Sequence, residues 1–417
     1  MNRTILNLKI ILSIFASIST QFIYSQVSVS PYSKYGLGTM NQQGDARSFA
    51  MGDAGIALPS TYNINTLNTA SYSTFDSLTF YINFNISGTY TRYISDEQSE
   101  NQFNSGFNGL TFGFKAQKWW GIGFGLSSLS NIDYNIGTTN IIDGSTIPYN
   151  INYTGKGGIS SIFWGNAIKL SRNLSVGVNT TFLWGKIEHS EISDFSSIGS
   201  NTISNDEVYY INKFMFDYSL FYCSNIKNNT LSIGLNYSNK ATLFTSLEHN
   251  VTLSNGNELL NESLNTSNLV LPQKLGIGIG FNIRNQLTIA ADYKFENWSD
   301  VQNSISDGEV NDANNYNLGF EYSLSRYQYK NIFRRMKYRC GIFVNDSYLK
   351  QNNFDIVSKG FSLGLQIPFR SKFSSINISY QYNELGSSNG DLIKEVQNNF
   401  KIGFTFGEDW FVKPHFN

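Results

Sequence analysis

Residues 78–87 read Leu-Thr-Phe-Tyr-Ile-Asn-Phe-Asn-Ile-Ser. Leu78, Phe80, Ile82, Phe84 and Ile86 take every second position, and Thr79, Tyr81, Asn83, Asn85 and Ser87 take the positions between. Successive side chains of a strand point to opposite faces, so this stretch is a ribbon with one apolar and one mostly polar side. An amphipathic helix would repeat its apolar residues every three or four positions instead. The same alternation returns at Leu110–Ala116, Trp120–Leu126, Leu174–Trp184, Phe214–Tyr222, Leu231–Tyr237, Leu275–Phe281 and Leu287–Phe295. It closes the chain at Tyr316–Leu324, Tyr338–Val344, Phe361–Phe369, Ile376–Tyr382 and Phe400–Phe406, and residues 157–170 complete the series less cleanly. The total is about fourteen strands, long enough to cross a membrane at a tilt.

The connections between these strands alternate in length. Short ones fall near 118, 171–173, 225–229, 284–285 and 370–373. Long ones cover 93–106, 134–155, 189–207, 246–268, 299–313, 349–356 and 385–395. Transmembrane barrels have short periplasmic turns and longer outer loops, which a soluble sandwich does not require. The link at 325–335 is long for its side. An even strand count puts both chain ends in the periplasm. Trp119, Trp120, Trp184, Trp298 and Trp410 lie near strand ends, where interfacial aromatic girdles sit.

Composition agrees. Of 417 residues, 15% are aromatic and 15% charged, against roughly 25% charged in an average soluble domain. The many aromatics argue against disorder. A net charge of −1 gives no reason to expect nucleic acid. Cys223 and Cys340 are the only cysteines, so neither a disulfide framework nor a thiolate metal site is implied.

Residues 1–25 read as a signal peptide: Arg3 and Lys9 open it, Ile10–Ile18 is its apolar stretch, and cleavage is expected after Ser25. An uncleaved anchor helix is the alternative. No later apolar run reaches the roughly 18 residues of a spanning helix, so the expected location is the outer membrane of a Gram-negative bacterium, in contact with its lipid. The expected organisation is therefore a signal peptide over 1–25, a leading segment over 26–76, a transmembrane antiparallel β-barrel over 77–407 and a periplasmic tail over 408–417. The leading segment does not alternate and is rich in Gly, Ser, Asn and Ala. A barrel of this size is too wide for its own side chains to fill, so 26–76 is expected inside as a plug. A loose periplasmic tail is the alternative.

Several stretches resemble the FadL-type family of outer-membrane transporters of long-chain fatty acids and other hydrophobic compounds. They are SPYSKYGLGTM, RSFAMGDAGIAL and NTLNTASY in the leading segment, then LPQKLGIGIGF, ADYKFENWSD, GFSLGLQIPF and FKIGFTF. The resemblance covers nearly the whole mature chain and implies a fourteen-stranded barrel with an N-terminal hatch. It also implies ligand entry from outside and lateral exit through the wall. The family's hatch carries an Asn-Pro-Ala motif; Asn68, Thr69 and Ala70 stand at the matching positions, without the proline.

Three further features bear on function. The inward face at 120–126 is Gly121, Gly123 and Gly125, a candidate wall opening, since glycine weakens strands and marks bends. In the family, the lateral opening is linked to a kinked third strand. The competing reading is that these glycines relieve crowding against a packed plug, and a second inward row, Gly276, Gly278 and Gly280, shows that such rows need not mark a gate. Arg47 would either hold a ligand carboxylate or anchor the hatch to acidic groups on the wall. The segment 251–271, with scattered leucines, would form an apolar lip among the outer loops.

Catalysis finds no support. His189 and His249 are expected in exposed loops and His415 in the tail. Gly360–Gly364 matches G-x-S-x-G but sits within an alternating strand, not at the strand-to-helix turn that pattern needs. No cofactor or metal is expected. The resulting expectation is a non-enzymatic outer-membrane channel for passive uptake of small hydrophobic, fatty-acid-like molecules. The alternative is a noncatalytic FadL-like barrel subunit that docks to or plugs a protein-secretion translocon.

Overall fold

The computed structural model describes residues 30–95, 99–196, 199–266, 269–301, 309–324, 331–351, 354–369, 373–386 and 393–409. The expected signal peptide, Trp410 and His415 lie outside them. Fourteen antiparallel strands form the wall. The first seven are β1 (Thr79–Ile94), β2 (Ser99–Gln117), β3 (Trp120–Ile141), β4 (Pro148–Lys169), β5 (Leu174–Asp194), β6 (Ile203–Ile226) and β7 (Asn229–Ser238). The second seven are β8 (Gln273–Ile283), β9 (Leu287–Asn297), β10 (Ala313–Ser323), β11 (Lys337–Gln351), β12 (Phe354–Pro368), β13 (Ser375–Leu385) and β14 (Lys394–Asp409). Each pairs with its sequence neighbours. The ring closes where β1 meets β14, in register from Thr79 opposite Asp409 to Ile94 opposite Lys394. Closure gives every strand two neighbours, but β2 and β3 pair only from Gly109 opposite Ser127 to Gln117 opposite Trp120. Beyond that stretch Thr39 and Met40 of the leading segment pair with Asn131 and Ser130 of β3. The last strand runs two residues past the expected boundary at 407.

Burial along β1 inverts that of a soluble strand. Thr79, Tyr81, Asn83 and Asn85 are buried, whereas Phe80, Ile82, Phe84 and Ile86 are only partly covered. Elsewhere Phe214, Ile279, Ile342 and Leu363 are at least half exposed. Large apolar side chains on an uncovered face are stable where that face meets hydrocarbon. Outward rings also stack across strands: Phe112 on Phe124 at 5.1 Å and Phe124 on Trp164 at 5.4 Å.

The long connections expected from the sequence are mostly strand. β3 and β4 continue to Ile141 and from Pro148, with a complete ladder across the stretch expected as loop. Hydrogen bonding between neighbouring ribbons does not stop where the apolar face stops, so alternation marks the membrane-facing part and not the strand's length. The described part of the expected lip is likewise mostly strand. Phe244–Leu253 and Glu258–Thr266 form a hairpin whose first strand pairs with the far half of β6.

Trp298 departs from the girdle expectation. It is fully buried and stacks on Tyr348 at 4.2 Å. Together with Leu37, Ile132, Leu243, Leu269 and Leu271 it belongs to an apolar cluster at the end of the long connections.

Candidate functional site

The leading segment has almost no regular structure of its own: two short 3-10 turns (Pro31–Lys34 and Thr69–Thr74), a two-residue strand (Thr39–Met40) and one helical turn, Ala46–Phe49. It is nonetheless buried, with Leu37, Ala50, Met51, Ala54, Ala57, Ile64 and Ala70 wholly inaccessible. It packs against inward faces around the ring. A Cβ placed on Gly177, Gly234, Gly341 or Gly364 would collide with Ala70, Ile56, Met51 or Ala50 respectively. A backbone can lie this close to a strand only where that strand carries no side chain. Gly52 completes the fit from the other side: its φ of 65° suits glycine, and a Cβ there would strike the backbone of Ile342.

Two of the three glycines singled out in β3 belong to this pattern, whereas a Cβ on Gly125 would meet Leu110 O and Thr111 of the adjacent wall strand. Gly121 faces the carbonyl of Tyr72, and Gly123 and Gly165 face its ring. Tyr72 also stacks on Phe75 at 5.3 Å. The β3–β4 ladder runs unbroken past these glycines, with Gly121, Gly123 and Gly125 opposite Ala167, Gly165 and Phe163. The row at Gly276, Gly278 and Gly280 seats Ile56 and Ala57 in the same way.

Asn68, Thr69 and Ala70 form a turn. Asn68 is extended (φ −145°, ψ 103°) and caps the following 3-10 turn, its side-chain oxygen accepting from the Ala70 amide at 3.0 Å. Its amide group donates to the carbonyls of Ile56 (2.9 Å) and Leu220 (3.0 Å), which ties the turn to β6. Ser219 Oγ also accepts from the Ala70 amide, at 2.9 Å. Thr69 occupies the first position of the turn, where proline is tolerated, and Asn68 has the extended backbone that a residue before proline adopts. The cap and the wall contacts hold the turn without the ring.

Arg47 lies in the helical turn capped by Asp45, whose Oδ1 accepts from the Ser48 amide at 3.0 Å. The guanidinium meets the Glu321 carboxylate of β10 with two parallel bonds, Nε–Oε2 and Nη2–Oε1, both 3.0 Å. Nη1 donates to Pro59 O and Asn63 Oδ1. Glu321 is shared: Arg339 Nε reaches Oε2 at 2.8 Å and Lys337 Nζ reaches Oε1 at 3.3 Å. The side chains of Arg47 and Glu321 are only 10% and 6% exposed. Sequence reasoning passed over Glu321, although a lone acid on the inward face of a spanning strand is a signal that a partner is nearby. Asp292 was missed too; its Oδ2 accepts from the amides of Gly55 (2.6 Å) and Ile56 (2.9 Å).

Two cavities border the segment. One of about 560 Å³ is lined by Asn104, Asn131, Gln381, Asn399, Lys294 and Lys401 among others. The other, about 250 Å³, shares Gln42, Gln43, Leu67, Asn236 and Lys274 with it. His189 and His249 are not loop residues. They lie on β5 and on the hairpin, bonded to Tyr134 Oη (2.7 Å) and Asn205 Oδ1 (2.8 Å). Among the described residues no group of three His, Cys, Asp or Glu is placed to hold a metal ion.

The family model described as BamG matches residues 7–417. No curated protein matches the chain. Solved structures do. A Pseudomonas aeruginosa FadL homologue superposes with a TM-score of 0.61 at 12% identity, covering 89% of this chain and 100% of that one. The Ralstonia pickettii toluene transporter TbuX gives 0.58 at 16%, covering 88% and 98%. The P. putida toluene transporter TodX gives 0.59 at 14%, covering 89% and 100%. At these identities the likeness is one of fold: a FadL-like fourteen-stranded barrel.

Proposed function

This chain belongs to the BamG family, and from that premise we propose that it is a FadL-like barrel of the outer membrane that passes small hydrophobic molecules without chemistry or energy input. Thr79 at the start of β1 and Asp409 at the end of β14 share the tight-turn end, which faces the periplasm, whereas the described leading segment starts at the other end, where Ser30 donates to Glu395. Residues 30–76 act as the hatch, and the state described above is the closed one. Fatty-acid-like ligands enter at the long connections, the hatch rearranges, and exit is through the wall near Gly121, Gly123 and Gly125. The observation that carries this reading is the way the segment is seated. It rests on side-chain-free glycine positions and is held by many separate polar bonds to inward-facing residues, among them Arg47–Glu321, the Gly55 and Ile56 amides on Asp292, and Asn317 on Gly52 O, so it can leave without unpairing one wall strand from the next. The hydrocarbon channels of the same fold support it. Mass spectrometry of molecules retained by gently extracted protein tests it: a lipid-like or hydrocarbon ligand is expected, and a barrel that retains none and binds none when offered refutes it.

A second reading is favoured by two observations. Asn, Gln, Ser and Lys make up about half of the residues around the larger cavity, interleaved with Phe49, Leu129, Phe295 and Trp298, whereas sites for apolar ligands are lined mostly by apolar side chains. In addition, the ladder across Gly121–Gly125 is intact. On this reading the barrel is a noncatalytic subunit that docks to or plugs a protein-secretion translocon. Cross-linking in intact cells separates the two, since only a subunit yields a stoichiometric large partner.

A further inference from the structure

The link between β10 and β11 is long at the end of the barrel where other connections are tight turns. Residues 325–339 contain six basic side chains and no acidic one. Two of these, Lys337 and Arg339, turn inward to Glu321. Two others, Arg334 and Arg335, end the helical turn Ile332–Arg335, none of whose residues is buried. Phe333 is 66% exposed and Ile332 45%. Asn331 caps the turn, its Oδ1 accepting from the Phe333 amide at 3.0 Å.

Two bonds fix this turn beside the outer surface of the wall. Tyr338 Oη donates to Phe333 O at 3.0 Å, and Arg335 Nη2 donates to Phe369 O at 2.6 Å. Tyr338 is the first outward-facing residue of β11, opposite Tyr322 and Leu365, and Tyr322, Leu324 and Phe369 are exposed like it. The turn therefore belongs to the apolar rim at the membrane boundary. An exposed Phe–Ile pair next to an Arg–Arg pair is the composition of an interfacial anchor, whose apolar side chains enter the acyl boundary while its cations stay level with the phosphates. A guanidinium presents five donors in a fork that matches phosphate, and Arg335 spends one nitrogen on Phe369 O.

We propose that Ile332–Arg335 is a binding site for the headgroup of an anionic phospholipid in the leaflet at the tight-turn end, with Arg334 and Arg335 on the phosphate and Ile332 and Phe333 in the acyl layer. The site requires that the barrel be embedded in a membrane and is independent of what the barrel passes, so it can fail while the transport reading stands, and the reverse. Each basic residue at an anionic surface contributes about fivefold in affinity, so the pair contributes about 25-fold.

The test is native mass spectrometry of the full chain in neutral detergent, titrated with phosphatidylglycerol, with phosphatidylcholine of the same acyl chains, and with glycerol 3-phosphate. The wild type is expected to hold phosphatidylglycerol well above phosphatidylcholine and not to hold glycerol phosphate. R334Q, which leaves the Arg335–Phe369 bond in place, should weaken phosphatidylglycerol about fivefold. R334Q/R335Q should bring it near the phosphatidylcholine level, and I332S/F333S should weaken both lipids. Resistance of the barrel to SDS at room temperature verifies that each variant is folded. Equal retention of the two lipids by the wild type, or undiminished phosphatidylglycerol binding by R334Q, overturns the proposal. Binding of glycerol phosphate as tight as the lipid would make this a soluble-anion site and also overturn it. So would preference for an acidic peptide over phosphatidylglycerol, lost in R334Q/R335Q, which would assign the face to a protein.

Discussion

Replacing Glu321 by Gln should loosen the inner segment far more than replacing Arg47 by Met, although each breaks the same ion pair. Glu321 serves three cations, Arg47, Lys337 and Arg339, within 3.3 Å. E321Q leaves all three in the lumen without a carboxylate. Removing one partner of a buried pair costs about 3–5 kcal/mol. With R47M the carboxylate keeps two cations, and the segment loses mainly the bonds to Glu321, Pro59 O and Asn63, about 1–2 kcal/mol net. If release of the segment is a local opening in fast equilibrium, protease cleavage follows its open population. The rate of chymotrypsin cleavage within 30–76 should then rise roughly 150-fold or more for E321Q and about 5- to 30-fold for R47M, at tenfold per 1.4 kcal/mol. The assay uses folded protein in detergent, with SDS-resistant migration showing that the wall is intact. The double variant removes one of the stranded cations, so it should be cleaved more slowly than E321Q alone. If E321Q is cleaved no faster than R47M, or if the two effects simply add, the shared-carboxylate account is wrong.

Glycine seats should differ in tolerance. Gly341→Ala drives a Cβ into backbone atoms of Met51 and Gly52, whereas Gly123→Ala meets the edge of the Tyr72 ring. Overpacking costs about 1–3 kcal/mol where side chains can shift, so G123A should lower the urea midpoint of segment release moderately and G341A more. Tyr72→Ala should remove most of the G123A effect, as a double-mutant cycle would show. Asp45→Ala deletes the helix cap and the acceptor for Asn63 Nδ2 at 2.7 Å. A loss of about 1–2 kcal/mol in the same denaturation assay is expected. Tyr348→Phe keeps the stack on Trp298 but loses the hydroxyl that donates to Gly38 O (2.8 Å) and accepts from Leu37 N (3.2 Å). About 1 kcal/mol is expected, read as faster cleavage near residues 35–38 with the rest of the segment unchanged.

Which parts of this architecture can be read from residues alone follows from what each part depends on. The membrane-crossing length of most strands is written in their own alternation, as at Leu78–Ser87 and Leu275–Phe281, and less cleanly over 157–170, because hydrocarbon selects the outward side chains one by one. The protruding halves of β3 to β6 are not marked that way, since water accepts Asn, Thr and Ile alike there. The hairpin over 244–266 hides in a polar stretch for the same reason. Trp298 shows the limit of positional rules: a strand-end tryptophan is expected at the lipid boundary, but here it turns inward onto Tyr348. The path of 30–76 has no period to reveal it. It is set by contacts scattered around the ring, at Gly177, Gly234, Gly341 and Gly364, each of which looks in sequence like an ordinary strand glycine. Arg47 was visible as a charge in need of a partner, but its partner, 274 residues away, was not.

The seam between β1 and β14 joins the beginning of the wall to the end of the chain. No cylinder exists until the last strand has emerged, and loop-closure entropy over more than 300 residues must be overcome in that final step. The inner segment is made first and lies inside the finished ring, so the wall has to be laid around it, or the segment has to thread in before the zipper shuts. Either way the order of synthesis is also an order of assembly. A circular permutant that begins in the long connection between β7 and β8, which carries the 244–266 hairpin, would place 30–76 in mid-chain, and it should fold more slowly than the natural order while reaching the same end state.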